Sequence, residues 1–213
     1  MAAKKITATK ADGKYAIVEV NQLASRTTGA MIADAPLAKN FTTVGKEGDT
    51  QDFAENGMIL YFDPTADRAS TADGKTKGAW VGTAKDGLSY GLVFSTEHFY
   101  DSYNRDLASF KITKPQDDNM LIGSQFEHSP RVYTLAMNDK FTTDAVVDDD
   151  TESIMDKIGT ATLVYGEAKG GYIVLTETKP TTGPVLVAIE KTTTPASYGG
   201  VVEPAVKFIV TEA

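Results

Sequence analysis

The chain has 213 residues, 41% of them hydrophobic, and sets 21 basic against 29 acidic side chains for a net charge of −8. That content can bury one sizeable core or two small ones, and the negative charge opposes nonspecific attraction to a polyanion, so nucleic acid is not an expected partner. Without cysteine there is no disulfide framework, thiolate metal site or thiol nucleophile, a composition that suits a cytosolic origin.

Along the chain, short β-branched or aromatic runs alternate with Gly, Asp, Pro or Asn, the mark of strands separated by tight turns. The opening MAAKKITATKADGKYAIVEV has no signal-like apolar run, because Thr7, Thr9, Lys10, Asp12 and Lys14 interrupt it. The longest apolar stretches, such as Met58 to Phe62, fall far short of the ~20 residues that span a bilayer, and no membrane segment is expected. Strands are expected near 15–20, 58–62, 79–83, 88–94, 107–112, 131–136, 161–165, 172–177, 184–190 and 205–211. In the last, Val206, Phe208 and Val210 should face one way and Lys207, Ile209 and Thr211 the other. Asp12-Gly13, Asp73-Gly74, Asp86-Gly87 and Gly170-Gly171 supply the positive-φ residues of two-residue hairpins.

Four segments follow from this pattern. Residues 1–56 combine an N-terminal strand with an extended arm, 57–114 form a first β-rich half, 115–130 a Pro-containing polar connection, and 131–213 a second β-rich domain. The fold class is therefore all-β, mainly antiparallel hairpins in barrel or sandwich units, with one or two short helices. The arm, 21–40, is rich in Ala, Ser, Thr and Gly and has few large apolar side chains to offset its backbone entropy. It is expected to order against a neighbouring subunit, through Ala24, Ser25, Thr27, Thr28, Met31, Ile32 and Phe41, with a sheet of the same chain as the alternative.

Helical signal is confined to two places. Phe99, Tyr100 and Tyr103 in 96–104 have helical spacing but fit a loop equally well. In 151–158, Ile154, Met155 and Ile158 share a face, Asp150 or Thr151 can cap the start, and Gly159 can close the end. The acidic run Asp148, Asp149, Asp150, Glu152 then lies where carboxylates meet a helix N-terminus, with Asp148 and Asp149 solvated. A cation site on Asp148, Asp150 and Glu152 is the alternative, but an EF-hand loop needs Gly at its sixth position and Glu at its twelfth, where Ser153 and Gly159 stand. A phosphatase-type Asp-x-Asp-x-Thr fails as well, since residue 152 is Glu.

Gly87-Leu88-Ser89-Tyr90-Gly91 is a literal G-x-S-x-G, with Asp101, Asp106 and His128 following in the chain order of a hydrolase triad. An Asp-Gly hairpin turn precedes Ser89 and a strand-like Leu-Val-Phe follows, so the strand–turn–helix of a nucleophile elbow is not expected. His98 and His128 are the two histidines, both near aromatic residues, and read as packing or surface groups. No catalytic residue, metal or cofactor is assigned. Trp80, Tyr90, Phe99, Tyr100 and Tyr103 offer a second reading, the stacking platform of a glycan- or receptor-binding β-sandwich, if they are exposed rather than core. Phe-Thr-Thr recurs at 41–43 and 141–143, each time before acidic residues, which alone does not establish a repeat.

From residue 57 onward the layout resembles tailed-bacteriophage virion structural proteins of the capsid decoration or cement type. The resemblance rests on Pro130, Arg131, Tyr133 and Leu135 leading into a turn made by Asp139, Phe141, Thr142 and Thr143, then on Tyr172 to Thr178 and Val185 to Thr192 as strands of a compact β-barrel. It implies a non-enzymatic virion component, made in the host bacterial cytoplasm, that packs across capsomer junctions on the major capsid protein and beside neighbouring copies of itself.

Overall fold

The computed structural model describes residues 3–5, 16–24, 31–32, 35–44, 50–69, 77–84, 86–94, 99–100, 106–107, 111–113, 130–149, 152–193 and 204–212. Apart from the helical Ala24 and one 3-10 turn their regular structure is strand, and the chain is all-β. In the N-terminal part the strands are β1 (Ala3–Lys5), β2 (Val18–Gln22), β3 (Met31–Ile32), β4 (Thr43–Val44), β5 (Thr50–Gln51), β6 (Phe53–Glu55) and β7 (Ile59–Asp67). The middle holds β8 (Lys77–Val81), β9 (Ser89–Val93), β10 (Phe99–Tyr100), β11 (Asp106–Leu107), β12 (Lys111–Thr113) and β13 (Val132–Thr134). The rest is β14 (Lys140–Thr143), β15 (Val146–Asp149), β16 (Tyr165–Lys169), β17 (Tyr172–Thr176), β18 (Val185–Thr193) and β19 (Pro204–Glu212).

The C-terminal strands close into a barrel. β14 and β15 are two halves of one strand, bent at Asp144 and Ala145, and the first half pairs with β19 while the second pairs, in parallel, with β17. Antiparallel pairings of β17 with β16, β16 with β18 and β18 with β19 complete the ring. Phe141, Ile173, Leu186, Val206, Phe208 and Val210 fill it, and the Phe141 and Phe208 rings lie 5.8 Å apart. Val206, Phe208 and Val210 are buried as the alternation of the last strand requires. Each half of the bent strand keeps one flank beyond the ring, where β2 adds to β14 and β1 to β15.

A five-stranded sheet, in the order β3, β13, β9, β7, β8, packs beside the barrel. Its residues 58–62 do not alternate in polarity because both faces are covered. Ile59, Tyr61, Leu92 and Tyr133 join the barrel core, whereas Leu60, Trp80, Val93 and Val132 join a second cluster with Leu37, Ala38 and Phe41. The halves expected at 57–114 and 131–213 are thus knitted together, with β13 paired to β9 across the expected connection and one cluster drawing on both. Gly170 and Gly171, at φ 61° and 92°, make the expected two-residue turn between β16 and β17, which reaches both β4, where Val44 N–H donates to Gly170 O, and the five-stranded sheet, where Ile59 N–H donates to Gly171 O.

Several expectations are corrected. The 140–143 segment, read as a turn, is a strand between β19 and β2, because Phe141 fills the barrel while Thr142 and Thr143 serve neighbouring chain segments. The strand expected at 161–165 begins only at Tyr165 and runs on through Gly166, where a Cβ would stand 2.5 Å from Ile173 Cγ2 and 2.9 Å from Phe208 Cε1. Over 151–158 the helix shrinks to a 3-10 turn, Met155–Lys157, with no side-chain cap from its N-cap residue Ile154. In the second possible helix, Phe99–Tyr100 is instead a short strand paired with Asp106–Leu107. Thr43 starts the two-residue strand β4 whereas Thr143 ends a barrel strand, so the two Phe-Thr-Thr segments occupy unlike places.

The arm is not short of anchors within its own chain. Leu23, Ala35, Leu37, Ala38 and Phe41 are buried, and Leu37 forms a bridge with Trp80. Ala35 N–H donates to Pro130 O at 2.9 Å, Ala38 N–H to Trp80 O at 3.0 Å and Lys39 N–H to Asp67 O at 2.8 Å. Its low apolar content misleads because small residues can lie flat on a sheet and spend their N–H groups on neighbouring carbonyls.

Candidate functional site

The polar chemistry of the described residues concentrates where residues 16–24 lie on the barrel. Three buried carboxylates, each from a different segment, aim at backbone N–H groups of this stretch. Ala16 N–H donates to Glu55 Oε2 at 2.5 Å, Ile17 N–H to Asp144 Oδ1 at 2.7 Å and Ala24 N–H to Asp139 Oδ1 at 2.7 Å. Hydroxyls add to them: Thr143 Oγ1 donates to Ile17 O at 3.0 Å and Thr142 Oγ1 to Asn21 Oδ1 at 2.9 Å. Charge-assisted bonds of this kind are stronger than neutral ones, and a buried N–H deprived of its acceptor is costly.

Each carboxylate is held by its surroundings. Asp139 follows Asn138, whose φ of 71° turns the chain, and its second oxygen accepts from Ala136 N–H at 2.8 Å. Asp144 sits at the bend between β14 and β15, fully buried. Glu55 ends β6 and also accepts from the Tyr172 hydroxyl. None of the three stood out in the sequence, where each resembles an ordinary turn acid. Their common feature, an N-terminal segment more than a hundred residues away for Asp139 and Asp144, has no local signature.

The acidic run has a different role from the one expected. Asp148 is buried, not solvated, and its carboxylate accepts from Ser153 Oγ at 2.7 Å, Ile154 N–H at 2.9 Å and Met155 N–H at 3.3 Å. It therefore caps the 3-10 turn from across the loop, the task assigned to Asp150 or Thr151, which lie outside the described residues. Glu152 points to Lys157 Nζ at 2.9 Å, so the two described members of the suggested cation site face different partners. Among the described residues no three His, Cys, Asp or Glu side chains gather as a metal site, and no helix is long and apolar enough to cross a membrane. Lys157 is held protonated to higher pH by hydrogen bonds to Glu152 and Glu177, and Lys191 holds Asp156 below the usual carboxylate range.

Ser89 is exposed at the start of β9, opposite Phe62, and the strand continues through Val93, so no nucleophile elbow forms there. Gly91 has a packing reason instead: a Cβ would stand 2.5 Å from Val132 Cγ1 and 2.7 Å from Tyr133 O. Asp101 and His128 lie outside the described residues, and Asp106 is in β11. Of the arm residues named as contacts, Phe41 is a core residue, Ala24 donates to Asp139, and Met31 and Ile32 pair with Tyr133 and Val132 of the same chain; Ser25, Thr27 and Thr28 lie outside the described residues.

The stacking platform loses its tryptophan, since Trp80 is buried with its ring 5.6 Å from that of Phe62. Tyr90 packs edge-on against Tyr61, with 6.2 Å between ring centres. Phe99 and Tyr100 form β10, and Tyr103 lies outside the described residues. Burial, followed by the proximity of Tyr90 and Glu167, pushes the Tyr61 phenol far above its ordinary range. No protein-family model, curated protein or solved structure matches the chain.

Proposed function

We propose that this chain is a non-enzymatic virion structural protein that binds and stabilises an assembled phage capsid, with the major capsid protein and adjacent copies as partners. The reading is supported by one observation above the others: the buried carboxylates Glu55, Asp139, Asp144 and Asp148 spend their charge on backbone N–H groups. Acidic groups used this way hold chain segments in place, a task of scaffolds rather than of proton transfer, which needs a carboxyl free to reach a substrate. A barrel that accepts extra strands on both flanks of one bent strand also suits a protein that works by contact.

Co-sedimentation with shells assembled from a tailed-phage major capsid protein tests the proposal. The protein is expected to pellet with shells to saturation and to raise their melting temperature, while leaving a glycan array blank. Saturable glycan binding with no retention on shells would replace this reading with the receptor-binding one.

A further inference from the structure

We infer that the seat of residues 16–24 is an exchangeable strand site, which a second copy of this chain can fill with its own residues 16–24. The inference concerns the chain alone and does not rest on shell binding.

The seat recognises an extended backbone that turns helical at Ala24. Glu55, Asp144 and Asp139 take the N–H groups of residues 16, 17 and 24, and β14 pairs with the strand between them. Apolar anchors mark the ends, Ala16 and Ile17 at one and Leu23 at the other, all buried. Between them Glu19, Asn21 and Gln22 are exposed. Val18 and Val20 are partly buried against the barrel core, so a ligand must supply a small residue and Ile at one end, apolar residues at alternate positions along the strand, and Leu six positions after the Ile, with free N–H groups. Every copy of this chain carries that ligand.

The segment can leave as a unit. β1 and β2 both precede Ala24, and both add to flanks of the bent strand β14–β15. Six residues separate Ala24 from Met31, where β3 belongs to the five-stranded sheet. If residues up to Ala24 move to a second copy, every hydrogen bond, ladder and anchor is remade with identical partners. Protein concentration and the path taken between Ala24 and Met31 then set the balance, the general condition for strand exchange between protomers.

The absence of cysteine allows a direct test on the full-length chain. Gln22 and Lys140 are Cα partners across β2 and β14, a separation within reach of a disulfide. Single variants Gln22→Cys and Lys140→Cys are mixed, held at high concentration, diluted and oxidised. The expected product is a heterodimer linked between positions 22 and 140, several-fold above the homodimers of either variant and above a mixture of Gln22→Cys with Glu190→Cys, a control at an exposed position. Only unlinked chains, while the double variant closes its disulfide internally, would overturn the inference. Should the double variant fail to close, sedimentation of the unmodified chain decides. A concentration-dependent dimer with residues 16–24 protected from hydrogen exchange supports exchange, and a monomer at every concentration refutes it.

Discussion

β17 and β2 are both five-residue strands, yet they are held in opposite ways. β17 lies between β15 and β16, and Tyr172, Ile173 and Leu175 are buried, so apolar side chains fix it and the ladders on both sides follow. Among the described residues β2 has β14 on one side only, and none of its own five side chains is fully buried. Much of what holds it is polar and borrowed, carboxylates and hydroxyls from Glu55, Asp139, Thr142, Thr143 and Asp144, while Val18 and Val20 lie partly buried against the barrel core and fully buried pins stand just outside the strand at Ile17 and Leu23. A strand fixed by its side chains cannot be removed without opening the core. One fixed largely through its backbone opens less of the core when it leaves.

The largest expected effect tests the barrel side of this contrast. Phe208→Ala removes a fully buried ring packed on Phe141 and should cost about 3–5 kcal/mol in urea unfolding, with exchange protection falling along β17 and β2 together. Asp144→Ala addresses the other side. It strips the acceptor from Ile17 N–H and should cost about 1–3 kcal/mol, with amide exchange accelerated over residues 17–22 while β17 keeps its protection. Equal loss of protection in both strands would remove the distinction.

Asp148→Ala is a smaller change of the same kind, because it uncaps one turn. About 1–2 kcal/mol is expected, and the melting temperature of the unmodified protein should not respond to millimolar calcium. Tyr61→Phe should alter stability least at neutral pH and most in alkali. Burial raises the Tyr61 phenol in the folded state, so its stabilising contribution is complete below the unfolded-state value of about 10 and is lost as pH rises from there toward the folded value. Denaturation at pH 9 and 11 should show a steeper decline for the unmodified protein than for Tyr61→Phe.

Much of the scaffold was legible in local pattern. The alternation of β19, the apolar run 58–62 and the Gly170-Gly171 hairpin depend on residues a few positions apart, whereas Asp86-Gly87, expected as a hairpin turn, has Gly87 at φ 75° but joins β8 and β9, which flank β7 instead of pairing with each other. Phe141-Thr142-Thr143 misled, since two threonines after a phenylalanine read equally as turn or strand until the partners on both sides are known. Asp148 misled for a related reason: a carboxylate in an acidic run looks solvated, and only the fold brings Ser153, Ile154 and Met155 over it.

By itself the sequence determined an all-β chain, because strand propensity, period-two alternation and glycine turns act within a few residues and need no distant partner. Tertiary structure alone decided that one bent strand closes a barrel, that both faces of a second sheet are covered, and that acids at 55, 139 and 144 meet residues 16–24. Those contacts join positions 39 to 127 residues apart, and a carboxylate looks the same in the sequence whether it meets water or the N–H of a strand from the other end of the chain.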